Sequence, residues 1–110
     1  MSFALSPDYR QANVIPQQSI VAASIGATYS LIGSVFGQGV VALLIVSTLD
    51  HTVQISLDGS IDFIPIPSLA TLIIDLKSDQ VALGGWRGVY VKQIGIPTTG
   101  SLYVGALGVS

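Results

Sequence analysis

Hydrophobic and polar residues alternate most clearly between positions 51 and 57, where the sequence reads His-Thr-Val-Gln-Ile-Ser-Leu. Asp58 and Gly59 follow as a favoured turn dipeptide, and a second apolar run begins at Ile61. This order of strand, turn and strand is typical of an antiparallel β-hairpin. Similar apolar runs recur from Ser19 onward at the spacing of a sandwich or barrel. The pattern predicts eight strands, over residues 20–24, 28–36, 40–49, 52–57, 61–64, 70–76, 88–94 and 101–107.

Three segments predict how these strands are arranged. Residues 40–46 do not alternate, so this strand is expected to be central and buried on both faces, either between two sheets or at a subunit contact. Residues 37–39, Gly-Gln-Gly, predict a hairpin turn, since glycine accepts positive φ. Residues 65–67, Pro-Ile-Pro, predict a strand end, because proline cannot donate a ladder hydrogen bond. The predicted fold is an all-β antiparallel sandwich, of jelly-roll type.

The first 18 residues differ from the rest of the chain. They contain Pro7 and Pro16, several Gln and Asn, and no sustained period. We therefore expect an extended N-terminal arm over 1–18, followed by a sandwich domain over 19–110. Asp8, Tyr9 and Arg10 give the arm a polar and aromatic contact set, so they are candidate binding residues. The arm is expected to become ordered against a neighbouring subunit or a shell.

The chain has too few charged residues to cover the surface of an independent monomer. They make up 9% of the chain, compared with roughly 25% in typical soluble domains. Much of the subunit surface is therefore expected to be covered, and a homo-oligomer, with a trimer favoured, is the predicted form. With four basic residues and a net charge of −2, the chain lacks the cluster of phosphate contacts that direct nucleic-acid binding needs.

A membrane helix is an alternative interpretation of one window. No charged residue occurs between Gln11 and Leu49, and residues 31–49 are long enough to span a bilayer as a helix. The Gly-Gln-Gly turn in the middle of that window favours two strands instead. We therefore expect no membrane partner, and a small membrane protein is the most distant alternative.

Side chains that could perform catalysis are scarce. The chain has one histidine, His51, no cysteine and no glutamate, and it lacks a nucleophile motif of the form G-x-S-x-G. His51 is therefore interpreted as a solvated turn residue. Asp58, Asp62 and Asp75 could in principle bind Ca²⁺, although turn capping explains them better. We predict that the protein is not an enzyme and that it uses no cofactor or metal.

Trp86 and Arg87 are the remaining candidate binding residues. They lie in a Gly-Gly-Trp-Arg-Gly segment that is expected to form an exposed loop. Tryptophan and arginine are favoured at the energetic centres of protein interfaces, and an aromatic ring also suits a sugar ligand. A carbohydrate- or receptor-binding module that uses Trp86 and Tyr90 is therefore the main alternative to a structural subunit.

Six short strand-and-turn motifs carry a resemblance to a known family: Thr28-Tyr29-Ser30-Leu31-Ile32-Gly33, Val53-Gln54-Ile55-Ser56-Leu57-Asp58-Gly59, Asp62-Phe63-Ile64-Pro65, Ile74-Asp75-Leu76, Gly88-Val89-Tyr90-Val91-Lys92 and Thr99-Gly100-Ser101-Leu102-Tyr103-Val104. With these motifs the chain resembles the small β-sandwich structural proteins of tailed bacteriophages. The resemblance implies a virion component, assembled in the host cytoplasm, with no enzymatic site. Its expected role is a capsid decoration or cement subunit bound to the major capsid protein, or a head–tail or tail accessory subunit.

Overall fold

The computed structural model of the chain describes residues 12–36, 39–75 and 88–109. Within these ranges the regular structure is almost entirely β, apart from a single 3₁₀ turn at Ala22–Ser24. The strands are β1 Ala12–Val21, β2 Ser30–Leu31, β3 Gly39–Ser47, β4 Val53–Ser56, β5 Asp62–Ile66, β6 Thr71–Asp75, β7 Tyr90–Gln93 and β8 Ser101–Val109. Each of the eight predicted strands overlaps one observed strand, in the predicted order.

The strands form two four-stranded sheets. The first sheet has the order β1-β8-β3-β6, the second has the order β2-β7-β4-β5, and neighbouring strands are antiparallel. Every connection between consecutive strands passes from one sheet to the other, except the β4–β5 hairpin. The two sheets pack face to face, so the predicted antiparallel β-sandwich is confirmed.

The inner faces of the two sheets supply one hydrophobic core. Leu43 and Ile45 of β3 and Val104 of β8 are at most 1% exposed on the first sheet, and Ile55 and Val91 are fully buried on the second. Because side chains of a strand alternate between its two faces, the intervening residues point outward. The core therefore determines which residues form the two outer surfaces.

The first strand corrects the predicted boundary of the N-terminal arm. Residues 12–18, assigned to the arm on sequence grounds, belong to β1 and pair with β8. Pro16 does not prevent this pairing, because β1 is an edge strand and its register shifts between Ile15 and Gln18. An edge strand or a bulge is where a sheet tolerates proline. Residues 1–11 lie outside the described residues.

The prediction for residues 40–46 is correct in one respect. β3 is central, between β8 and β6. Burial on both faces is wrong for the single subunit, because Leu44 is 43% exposed while its neighbours Leu43 and Ile45 are buried. The register of β3 with β8 also shifts between Val40 and Ala42. The second face of β3 is therefore open in the single subunit.

Two predicted turns differ in detail from the structure. The β4–β5 hairpin forms, but its loop covers residues 57–61 rather than two residues, with Gly59 at φ +84°. The Asp58 carboxylate accepts hydrogen bonds from the backbone N–H groups of Ser60 and Ile61. β2 and β3 lie in different sheets, so residues 37–39 do not join them as a hairpin; Gly37 and Gln38 lie outside the described residues.

Residues 65–67 do not end the strand where it was predicted to end. β5 continues through Pro65 to Ile66, and Pro65 pairs with Gln54. The strand lies at the edge of its sheet, where a missing backbone N–H is tolerated. The membrane-helix alternative for residues 31–49 is also wrong, because residues 39–47 of that window form the extended strand β3. In the described ranges, no helix is long and apolar enough to cross a membrane.

Candidate functional site

The five binding residues predicted from the sequence lie outside the described residues: Asp8, Tyr9, Arg10, Trp86 and Arg87. Two surfaces that the sequence did not locate stand out instead, and they are the outer faces of the two sheets.

The outer face of the first sheet is largely hydrophobic, with Thr71 and Asp75 of β6 as exposed polar residues at its edge. Leu44 lies opposite Gly105 of β8 on one side and Ile73 of β6 on the other, while Leu107 lies between Val14 of β1 and Ala42 of β3. Residues directly opposite each other in a sheet point to the same side. Val14 is 83% exposed and Ile73 is 78% exposed. We call this surface the apolar face, defined by Val14, Ala42, Leu44, Ile73, Gly105 and Leu107.

A groove of about 460 Å³ runs across the apolar face. It is formed by β1, β3, β6 and β8, and Pro16 lines it at the β1 bulge. Gly105 leaves the centre of the face without a side chain. A Cβ atom at this position would meet Leu44 Cβ at 3.8 Å, which is ordinary van der Waals contact. Packing within the subunit therefore does not require glycine at position 105.

The outer face of the second sheet is polar. Gln54 lies opposite Lys92, and Tyr90 lies in register with Ser56 on the same side. We call this surface the polar face, defined by Tyr29, Gln54, Asp62, Tyr90 and Lys92. The Tyr90 ring packs over Gly59, where an added Cβ would approach it to 3.2 Å. The polar face thus contains the aromatic, cationic and carboxylate groups that a sugar site would use.

These polar groups are already engaged with one another. The Tyr29 hydroxyl donates a hydrogen bond to Asp62 Oδ1, and Lys92 Nζ lies 3.3 Å from the same oxygen. The Lys92 ammonium also lies 4.7 Å from the centre of the Tyr29 ring, within cation–π range. Partial burial and the neighbouring carboxylate raise the pKa of Tyr29 to about 12. The hydrogen bonds from Tyr29 and Lys92 lower the pKa of Asp62.

A second polar cluster lies in the turns at one end of the sandwich. The Asp50 carboxylate accepts hydrogen bonds from the Thr98 N–H and hydroxyl groups and from the Thr99 N–H. These bonds, with a smaller contribution from His51, hold the pKa of Asp50 well below its usual range. His51 Nδ1 lies 3.2 Å from Asp50, and its side chain is 47% exposed. The cluster ties two turns together, and His51 is solvated within it.

The three aspartates that were considered as calcium ligands do not converge. Asp58 caps its own loop, Asp62 binds Tyr29 and Lys92, and Asp75 lies on β6 in the other sheet. Among the residues that the structure describes, no group of three acidic, histidine or cysteine side chains could hold a metal ion.

No family model, curated protein or solved structure matched the chain. Its function must therefore be inferred from its own surfaces, of which the apolar face is the most unusual.

Proposed function

We propose that the chain is a non-enzymatic structural subunit that assembles with copies of itself through the apolar face and that this assembly binds a larger protein shell. The observation that carries this proposal is that each of the four strands of the first sheet exposes a large aliphatic side chain on the apolar face. Contiguous exposed apolar patches mark interaction surfaces, whereas isolated exposed apolar residues are normal. Burying such a surface supplies the main driving force of protein association.

A protein partner suits the apolar face better than a lipid surface. Membrane-surface segments combine apolar side chains with a basic rim. Among the described residues, Lys92 is the one lysine or arginine, and it lies on the polar face at the opposite side of the sandwich. The side chains of the apolar face are aliphatic, and its groove has the concave shape that a partner's side chains can fill.

The proposed setting is a tailed-phage virion, assembled in the host cytoplasm, with the major capsid protein as partner and a decoration or cement role. We infer a jelly-roll topology from the strand orders β1-β8-β3-β6 and β2-β7-β4-β5. Eight-stranded jelly rolls with two sheets recur in viral capsid and lectin domains. Fold alone does not determine function, so the support for a structural role comes from the apolar face. A head–tail or tail accessory subunit is the alternative within the same particle.

A carbohydrate- or receptor-binding module is the second candidate. It is favoured by the position of Tyr90 beside Lys92 on the polar face. It is weakened by the contacts that already occupy Tyr29, Asp62 and Lys92, because a sugar would have to displace them. Binding on a glycan array that is lost in Tyr90→Ala would favour this module over the structural subunit.

Sedimentation of matched variants tests the assembly proposal. Leu44 on the apolar face and Phe63 on β5 are both 43% exposed, so Leu44→Thr and Phe63→Thr remove apolar surface of similar exposure from different sheets. We expect the wild-type protein and Phe63→Thr to be oligomers at micromolar concentration and Leu44→Thr to dissociate. If all three proteins sediment as monomers, self-assembly through the apolar face is wrong.

A reconstruction of purified virions tests the setting. We expect density for this sandwich on the particle surface, with the apolar faces of neighbouring copies in contact. If the protein is absent from the particles while the oligomer persists in solution, the virion proposal fails and self-assembly stands.

A further inference from the structure

Large and small side chains face each other across the two central strands of the apolar face. On β3 and β8, Leu44 lies opposite Gly105, and in the next outward-facing row Ala42 lies opposite Leu107. Leu44 is 43% exposed and Leu107 is 40% exposed, so each pair combines one projecting leucine with one small residue. The leucine is on β3 in one row and on β8 in the other. Both small residues line the groove.

Glycine at position 105 suits the approach of another chain. Within the subunit, an added Cβ atom would meet Leu44 Cβ at 3.8 Å and the Leu44 carbonyl oxygen at 3.9 Å, which are ordinary contacts. Glycine inside a strand costs conformational entropy and often marks a place where a ligand or another backbone comes close. Since packing inside the subunit gives no reason for this glycine, the open position fits a side chain that enters from outside.

We propose that two copies of the chain stack their apolar faces around a two-fold axis that runs along the strands, between β3 and β8. This inference rests on the proposed self-assembly and specifies its geometry. Such an axis exchanges the positions of β3 and β8, so Leu44 of each copy lies over Gly105 of the other. The same operation places each Leu107 over Ala42 of the other copy. The face is therefore complementary to itself, as a two-fold contact requires.

A two-fold axis across the strands would pack the same face less well. It would place each strand over its own copy, so at the row of the axis Leu44 would lie over Leu44 and Gly105 over Gly105. One contact would be overfilled and the other would leave a cavity, and both cost stability. The axis along the strands avoids both. It also places the two copies of Asp75, an exposed residue of the edge strand β6, at opposite edges of the contact.

The stacked faces reach the size of a specific interface. β1, β3 and β8 contain 10, 9 and 9 residues, and β6 contains 5. With about 3.4 Å per residue and about 4.8 Å between strands, the footprint is about 500 Å² in each copy. Two copies then bury roughly 1,000 Å², the size at which specific protein interfaces begin. The two polar faces remain on the outside of the stacked pair.

Mixing two defective variants tests this packing. Leu44→Ala leaves a cavity over Gly105 of the other copy, and Gly105→Val overfills the same contact, so each variant alone should raise the dissociation constant by about tenfold or more. In a mixed dimer, alanine faces valine at one contact and leucine faces glycine at the other. Alanine and valine together have as many side-chain carbons as leucine and glycine. We expect the mixture to dimerise within about threefold of the wild-type protein.

Rescue in the mixture cannot arise from packing within one chain, because each chain keeps its own altered residue. The circular dichroism spectrum of each variant should match that of the wild-type protein, which separates loss of assembly from loss of fold. If the mixture dimerises no better than the two variants do alone, the contact between Leu44 and Gly105 is wrong.

Cross-linking between the edges of the face distinguishes the two axes, because the chain has no cysteine of its own. Val14 of β1 is 83% exposed and Ile73 of β6 is 78% exposed, at opposite edges of the first sheet. In the proposed stack, positions 14 and 73 of different copies are about 12 Å apart, whereas two copies of position 73 are about 17 Å apart. With a short bismaleimide, we expect Val14→Cys and Ile73→Cys to cross-link when mixed and not alone. Efficient cross-linking of Ile73→Cys to itself would indicate the axis across the strands and overturn the proposed one.

The outcomes separate this packing from the proposed function. If Leu44→Thr dissociates the oligomer and the mixture of Leu44→Ala with Gly105→Val is not rescued, the stack is wrong and self-assembly through the apolar face stands. If the wild-type protein itself sediments as a monomer, the proposed self-assembly fails and the stack fails with it. A two-fold contact closes as a dimer, so a trimer in solution, as expected from composition, would contradict the stack.

Discussion

The outer faces of the two sheets follow the same rule of alternation but differ in chemistry. On the polar face, Tyr29, Asp62 and Lys92 satisfy one another while remaining accessible to water. On the apolar face, Leu44 and Ile73 extend from strands whose inner residues already fill the core. The core therefore does not explain why the outward residues of the first sheet are aliphatic. The proposed contact between subunits would explain it, and this contrast is the basis of the proposed function.

The largest expected change in the free energy of unfolding distinguishes two neighbouring residues on β3, one inside the core and one on the apolar face. Ile45 is fully buried, and Leu44 is 43% exposed. Ile45→Ala should lower the free energy of unfolding by about 2–5 kcal/mol, because it leaves a cavity in the core. Leu44→Ala should cost less than about 1 kcal/mol in the dissociated subunit, since that side chain is half solvated there.

Chemical denaturation at several protein concentrations measures both changes. In the assembled protein, the cost of Leu44→Ala should grow with protein concentration, because assembly adds stability by mass action. The cost of Ile45→Ala should not depend on concentration. If Leu44→Ala costs as much as Ile45→Ala at the lowest concentration, Leu44 belongs to the core and the contrast between the two outer faces fails.

A smaller effect on stability is expected from the glycine at the centre of the apolar face. Gly105→Ala should raise the free energy of unfolding by about 0.5–1 kcal/mol, because glycine within a strand costs conformational entropy and the added Cβ meets only ordinary contacts. Gly105→Val places a larger side chain in the groove. It should weaken assembly by about tenfold or more, since overpacking of a fitted contact costs about 1–3 kcal/mol.

Thermal unfolding and sedimentation of both variants check this prediction. Gly100→Ala is the matched control for the steric argument, because its Cβ would lie 2.0 Å from the Thr48 carbonyl oxygen and its φ is +89°. That variant should lose stability. If Gly105→Val assembles as tightly as the wild-type protein, a partner does not fill the groove.

The fold was largely predictable because its signals are local. Period-2 alternation at residues 51–57 and the Asp58-Gly59 turn identify a hairpin without knowledge of the rest of the chain. The first eight residues of β1, 12–19, were missed because Pro16 indicates a strand break, whereas the pairing of β1 with β8 joins opposite ends of the chain and has no local signature. Long-range pairing of this kind overrides local preference.

The candidate site was predictable only in part. The uninterrupted apolar run at residues 40–46 indicated that a second face needs cover, and the structure shows that face to be open in the subunit. Which residues form it depends on register. The shift between Val40 and Ala42 sets whether Leu43 or Leu44 points outward, and a shift of one residue exchanges the two faces of a strand. No single-sequence pattern specifies that bulge.

The smallest change in stability is expected on the polar face, where titration is the more sensitive measurement. The pKa of Tyr29 is raised from 10.0 to about 12 in the folded protein, so its contribution to stability is complete below pH 10 and is lost as the pH rises toward 12. Asp62→Asn removes the carboxylate that holds the Tyr29 proton. The late step near pH 12 in the phenolate absorbance should then move to lower pH in this variant but stay above the ordinary tyrosine range, because burial still raises the pKa of Tyr29, whereas Tyr29→Phe should lack the step. Tyr103→Phe, on the other sheet, is the control that keeps the step. If the step stays near pH 12 in Asp62→Asn, Asp62 does not help to raise the Tyr29 pKa, and the mutual satisfaction of the groups on the polar face loses its main support.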